Sequence, residues 1–275
     1  MRGVATLKQL AVESLSHLME KGQSRLAVDE DARGILRSWM VQGRNTQPVP
    51  PASEPMPAPA AEAAEMSTEQ KLALLREKAQ HWKPARRLGT LRETMVFAVG
   101  NPHARLMLVG EAPGYDEERL GEPFVGRAGQ LLTRILGAMG LSREEVYISN
   151  VCKFRPAMGA EQGTANRPPT PEEVAACLPL ILAEIRAVRP VCILCLGGSS
   201  AKGLLHLPPE TSVSSLRGRW LDCQGVPVRV TYHPSYLLRQ EGLAARRAVW
   251  EDMLCAMEKL QLPISDKQRR YFLPS

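Results

Sequence analysis

Residues 105–114 read RLMLVGEAPG: an apolar run from Leu106 to Val109 stops at Gly110 and turns at once into Glu111-Ala112-Pro113-Gly114. A short continuous apolar run bounded by glycine and proline marks a strand buried on both faces. Working outward toward the C-terminus, residues 126–139 space Leu131, Leu132, Ile135, Leu136 and Met139 as one face of a helix, and VYISN (146–150) is a second strand. Thr170-Pro171-Glu172-Glu173 combines an N-cap, a first-turn proline and a capping-box glutamate, and opens a helix to about Val188. VCILCLG (191–197) is another buried strand, residues 218–223 and 226–232 flank a Gln224-Gly225 turn, and a last helix covers 243–261. On the N-terminal side, MVFAV (95–99) reads as a strand, and Ser67 with Gln70 caps a helix running to Trp82. Strands alternating with helices predict an α/β fold, a three-layer α/β/α sandwich with a mainly parallel central sheet. Ligands bind such sheets beyond the carboxyl ends of the strands, so chemistry is expected after Val109, Ser149 and Tyr232.

The chain has 275 residues, 44% hydrophobic and 23% charged, enough for one sizeable core and an appendage. It contains no apolar run long enough for a transmembrane helix and no secretory signal pattern, and its six cysteines are irregularly placed. A cytoplasmic, nucleoid-associated protein of bacterial type and a monomer are expected. Residues 1–44 form two amphipathic helical stretches, with Leu7, Leu10, Val12, Leu15 and Leu18 in the first and Ile35, Leu36, Trp39 and Met40 in the second. Residues 45–66 hold six prolines and read as a disordered Pro/Ala-rich linker. The folded domain is expected over 67–262, with a tail at 263–275. Residues 1–65 carry 7 basic and 8 acidic residues, leaving 28 basic and 21 acidic residues beyond them. A basic domain of this kind suits a polyanion such as DNA.

Four motifs follow in order: GEAPG with GEPFVGRAGQLL (110–114 and 121–132), YISNVCKFRP (147–156), NRPPTPEEVAAC (166–177) and TYHPSYLLR (231–239). Together they resemble the successive motifs of type-4 uracil-DNA glycosylases, over roughly residues 67–262. The resemblance implies a DNA-repair hydrolase that cleaves the uracil–deoxyribose bond and leaves an abasic site. Such an enzyme must flip the nucleotide out, hold the base and stabilise the departing base anion. Phe124 can stack on a flipped pyrimidine. Asn150 offers one acceptor and one donor, complementary to uracil N3–H and O4 and not to cytosine. His233 can place an N–H against uracil O2, and the resemblance assigns the same roles to these three residues. Ala112 and Asn166 complete the base pocket. Glu111 is expected to serve the water or the sugar cation, and Glu117 to orient Asn150. After the His-Pro pair, Ser235, Tyr236, Leu237, Leu238 and Arg239 are expected to meet DNA, with either leucine as the wedge and the other buried.

Two departures matter. The type-4 proteins resembled hold a [4Fe–4S] cluster on four cysteines, and the corresponding positions here are Lys83, Arg86, Phe154 and Cys177. Three of the four cannot supply thiolates, so no cofactor is expected; Phe154 is suited to filling the space, and Lys83 and Arg86 to binding carbonyls or phosphate. Cys192 and Cys195 lie on one strand with side chains on opposite faces, which makes them core residues and not a ligand pair. The second departure is AMGAEQGTA (157–165), about seven residues longer than usual. It has no His, Cys or Lys for covalent capture of DNA. Two competing readings stand beside the main one. One is a weak or inactive DNA- or partner-binding paralogue whose N-terminal arm recruits a protein. The other is a glycosylase for another deaminated base such as hypoxanthine.

Overall fold

The computed structural model describes residues 66–159, 161–240 and 242–273. The N-terminal helical stretches and nearly all of the linker lie outside these residues. Ser67 caps the first described helix, α1 (Thr68–Gln80), through the expected capping box with Gln70. A one-turn helix α2 (Lys83–Arg86) follows, so the predicted single helix to Trp82 ends two residues early.

Six strands form the main sheet: β2 (Ala98–Gly100), β3 (Leu106–Gly110), β4 (Tyr147–Asn150), β6 (Cys192–Leu196), β7 (Trp220–Cys223) and β8 (Val226–Thr231). Their order is β2-β4-β3-β6-β8-β7, with β4, β3, β6 and β8 parallel and the two edge strands antiparallel. Alternate side chains of β3 divide between two cores, as strand geometry demands. Leu106 and Leu108 pack under helices α4 (Arg127–Met139) and α9 (Leu243–Lys259). Met107 and Val109 pack under α1, α5 (Pro171–Val188) and α6 (Gly198–Leu205). The result is the three-layer α/β/α sandwich. Cys192 belongs to the first core and Cys195 to the second, so the C-x2-C pair points both ways through the sheet. Gln224 and Gly225 both have positive φ, 55° and 83°, the backbone of a two-residue hairpin turn. Among the described residues no helix is long and apolar enough to cross a membrane.

Two expectations need correction. The strand predicted over 95–99 is two strands, because the chain changes partner at Val96 and Phe97. Before them β1 (Leu91–Met95) pairs with β5 (Phe154–Pro156); after them β2 pairs with β4. The supposed tail beyond Leu262 is packed. The main-chain oxygen of Gln268 accepts from Trp250 Nε1 at 2.6 Å, the Arg247 guanidinium bonds the carbonyls of Arg269 and Tyr271, and Tyr271 lies on the α9 core.

Candidate active site

The parallel strands β3, β4 and β8 end side by side, and their C-terminal loops enclose a cleft of about 520 Å³, a size typical of small-molecule sites. Gly110 at the end of β3 is the close-approach point. A Cβ there would lie 2.2 Å from Asn150 Oδ1 and 2.5 Å from Phe124 Cζ, so only the missing side chain lets these groups meet. Asn150 ends β4 and is 2% exposed. Phe124 sits in the left-handed region with φ 56°, a conformation that costs a non-glycine residue roughly 1–3 kcal/mol unless its surroundings hold it. Arg143 supplies the hold: its Nη1 donates to Phe124 O at 3.1 Å and its Nη2 to Pro123 O at 2.9 Å. Gly129 makes room, since a Cβ there would be 1.7 Å from Phe124 O. Sequence reasoning missed Arg143, which stands in a polar Ser-Arg-Glu-Glu turn that reads as solvated surface.

The two glutamates differ. Glu117 is a clasp: Oε1 accepts from the amides of Val125 and Gly126 at 3.1 and 3.0 Å, and Oε2 from that of Gly114 at 3.1 Å. None of these partners is Asn150, so the expected orienting bond is not made, and the carboxylate fixes the loop that carries Phe124. Its neighbour across Gly114 is Asn166, whose Nδ2 and Glu117 Oε2 would lie 2.9 and 2.8 Å from a Cβ there. Asn166 Oδ1 accepts from the buried Arg155 Nε at 2.9 Å, which leaves its amide NH2 facing Gly114 and the cleft. The same guanidinium bonds Glu118 and the carbonyls of Gly163 and Ala165, tying the long 157–165 loop to the pocket wall. Glu111 lines the cleft with Ala112. Burial pushes its carboxyl above the usual range, against a hydrogen bond from Ser199 and the charge of Lys202. Its Oε1 is buried without a hydrogen-bond partner among the described residues, an atom left available to something in the cleft.

His233 caps helix α8 (Pro234–Arg239), and its Nδ1 accepts from the Ser235 amide at 3.1 Å, with Ser235 Oγ at 2.8 Å. An Nδ1 that accepts cannot carry the proton of the neutral ring, so the N–H is on Nε2. Burial, helped by the charge of Arg239, holds the imidazole down to about 4. The ring is therefore neutral near pH 7 and donates through Nε2. Its centroid lies 5.7 Å from that of Phe124, inclined at 31°.

Helix α8 decides which residues can reach outward. Leu237 is buried in the core, so its expected role at DNA is corrected, while Leu238 is 38% exposed and Arg239 is exposed at the rim of the cleft. Tyr236 stacks on Tyr232 at 4.7 Å and is committed to packing, while Ser235 holds His233.

The region matching the iron–sulfur positions is an apolar cluster of Ala85, Cys152, Phe154 and Cys177, flanked by Trp82, Leu91, Met95 and Val174. Phe154 is completely buried, and the Arg86 guanidinium lies over its ring at 4.7 Å. Arg86 also donates to the carbonyls of Gln80 and Glu93, in accord with the carbonyl-binding expectation, while Lys83 is exposed. The donors present, one Cys in the four positions with Cys152 beside it, do not fit a four-thiolate cluster. Among the described residues no group of three or more His, Cys, Asp or Glu side chains is arranged to hold a metal ion.

The model of the Uracil DNA glycosylase superfamily matches residues 97–254. A type-4 uracil-DNA glycosylase of Thermotoga maritima is 43% identical over 163 residues, covering 59% of this chain and 81% of that protein. Another, of Archaeoglobus fulgidus, is 44% identical over 154 residues, 54% of this chain and 74% of that one. A type-5 uracil-DNA glycosylase of Pyrobaculum aerophilum is 33% identical over 153 residues, 50% of this chain and 64% of its own length. Because the match runs across all three strand ends that build the cleft, the chain belongs to the uracil-DNA glycosylase superfamily, and to its type-4 branch.

Proposed function

We propose that this protein is a monofunctional uracil-DNA glycosylase that hydrolyses the N-glycosidic bond of deoxyuridine in DNA. The observation that carries the reading is the neutral His233, proton on Nε2, set in one cleft with Asn150 and Phe124. A flipped uracil stacks on the Phe124 ring. The Asn150 amide accepts from N3–H and donates to O4, a pairing that cytosine reverses. As the bond from C1′ to N1 breaks, its electron pair leaves with the base and charge gathers on O2, where His233 donates. The Glu111 carboxylate faces the cation-like sugar and takes a proton from the water that adds to C1′. The uracil anion gains a proton from solvent and departs, leaving an abasic site. Burial raises the Glu111 pKa and so makes its carboxylate a stronger base than an exposed one.

At the rim, Leu238 is the wedge that fills the gap left by the flipped base, and Arg239 meets phosphate. No step passes through an iron–sulfur cluster: Phe154, Arg86 and the Cys152–Cys177 contact do its structural work as a packed apolar plug. The activity belongs to residues 67–273, as a cytoplasmic monomer acting on uracil-containing DNA, and residues 1–44 recruit a protein partner.

The test is incubation with labelled DNA bearing one uracil, followed by alkali to cut abasic sites. Cleavage at uracil and not at cytosine is expected. No cleavage by folded protein would favour a binding-only paralogue, and cleavage confined to hypoxanthine would reassign the substrate.

A further inference from the structure

Behind Asn150 lies a charged cluster that the proposed chemistry does not use. Lys153 and Glu184 have fully buried side chains, paired at 2.5 Å between Nζ and Oε1. Ser149 Oγ accepts from Lys153 Nζ at 2.5 Å and donates to Glu184 Oε2 at 2.7 Å. Tyr147 donates its hydroxyl to the same Oε2 at 3.2 Å, and burial pushes its phenol far above the usual range. The third partner of Lys153 Nζ is the main-chain oxygen of Asn150, at 2.7 Å.

That last bond falls at a gap in the sheet. The peptide joining Asn150 to Val151 gives its N–H to Gly110 O at 3.0 Å, on the β3 side. Its carbonyl points the other way, toward β2, whose pairing with β4 begins only at Ala98 opposite Ser149. Among the described residues no strand residue meets the Asn150 carbonyl, and the ammonium of Lys153 takes that place. The peptide is therefore held at both ends, by β3 on one side and by a charge anchored to helix α5 through Glu184 on the other. This is the peptide from whose Cα the Asn150 side chain projects into the cleft. A buried ion pair carries a desolvation penalty for each ion, and an apolar pair of similar volume would dock α5 on the sheet about as well. The pair's distinctive product is the fixed carbonyl.

We infer that Lys153, anchored by Glu184 and Ser149, is the positioning residue for the base-reading Asn150. The inference rests on the glycosylase reading above and adds to it a specificity device outside the cleft. Freeing the carbonyl lets the peptide tilt and moves the amide by a fraction of an ångström to about 1 Å, a displacement that costs up to about a hundredfold in rate.

The test is single-turnover uracil excision by the full-length protein, with thermal unfolding as the folding control. In Lys153→Met/Glu184→Met both charges leave together, so neither is stranded. Its excision rate is expected to fall about tenfold to a hundredfold with DNA binding little changed. In an Asn150→Ala background the same pair of substitutions is expected to cost nothing more, because the group being positioned is gone. A wild-type rate in the folded double variant overturns the inference. So does a loss that multiplies undiminished with Asn150→Ala, which marks a merely structural role. If the double variant does not fold, Ser149→Ala decides: a loss of about threefold or more that vanishes in the Asn150→Ala background supports the role, and a wild-type rate refutes it. Wild-type protein that leaves uracil in place refutes the glycosylase reading along with this one. Active wild type with unaffected variants refutes only the role of Lys153.

Discussion

Gly110, where the base-reading amide and the stacking ring both approach the backbone, gives a sharp perturbation, Gly110→Ala. Gly110 does not occupy the left-handed region, so alanine meets no backbone penalty and the effect is one of space alone. The added Cβ falls 2.2 Å from Asn150 Oδ1 and 2.5 Å from Phe124 Cζ. Ordinary contact needs about 3.5 Å, so amide and ring must each retreat by about 1 Å. Overpacking of this kind costs about 1–3 kcal/mol of stability, which leaves the fold intact. The catalytic cost is larger in kind: a 1 Å displacement of the reading and stacking groups is worth about a hundredfold. That is about 2.7 kcal/mol of transition-state stabilisation. The assay is single-turnover excision on a uracil oligonucleotide, with urea unfolding in parallel. Gly137→Ala is the control, because nothing lies within 4 Å of its Cβ and it sits inside helix α4. That variant is expected to keep the wild-type rate. A folded Gly110→Ala within about threefold of wild type would refute the claim that Asn150 and Phe124 act from where they stand.

Other outcomes follow from the same geometry. Asn150→Asp replaces a donor to uracil O4 with a carboxylate, so uracil excision should fall sharply and discrimination against cytosine weaken; oligonucleotides differing only in that base measure both. Burial holds the His233 imidazole down to about 4 in the folded chain, below the ordinary histidine value of 6.5. Protonation therefore favours the unfolded chain, and the stability this group contributes is complete above about pH 6.5 and lost as pH falls toward 4. Urea unfolding should find the stability of wild type relative to His233→Gln dropping by about 1.4 kcal/mol per pH unit in that window, and a constant difference would contradict the neutral ring. Anaerobically purified protein should be colourless and free of iron; four iron atoms per chain with broad visible absorption would overturn the reading of Phe154. Removing residues 1–65 should leave activity on short oligonucleotides unchanged, and a folded, inactive truncation would place the arm in the catalytic unit.

The sequence carried the site unevenly, for physical reasons. Phe124, Asn150 and His233 were legible because each sits at a strand end or tight loop whose glycines and prolines announce it. The sandwich was legible because Leu106–Val109 and Cys192–Leu196 are short apolar runs that only buried strands need. Arg143, Lys153 and Glu184 were not legible. A cation in a polar turn looks the same whether it faces water or a strained carbonyl, and burial is decided by helices distant in sequence. Glu117 was misjudged similarly, since its partners at Gly114, Val125 and Gly126 depend on how the loop closes. Adjacent leucines at 237 and 238 could not be told apart until α8 fixed its phase, burying the first and exposing the second. The break at Val96 and Phe97 has no local signal, because it arises where the chain changes pairing partner; there Val96 donates to Lys153 O at 2.8 Å.

The central claim is hydrolysis of the uracil–deoxyribose bond, and product analysis by mass tests it most directly. Uracil-containing DNA is incubated with the full-length protein, and free base, DNA strand and protein are each weighed by mass spectrometry. The account predicts free uracil, an abasic strand of otherwise unbroken backbone, and protein of unchanged mass. Intact uracil-containing DNA after incubation with folded protein would contradict it, as would a protein–DNA adduct in place of the abasic strand.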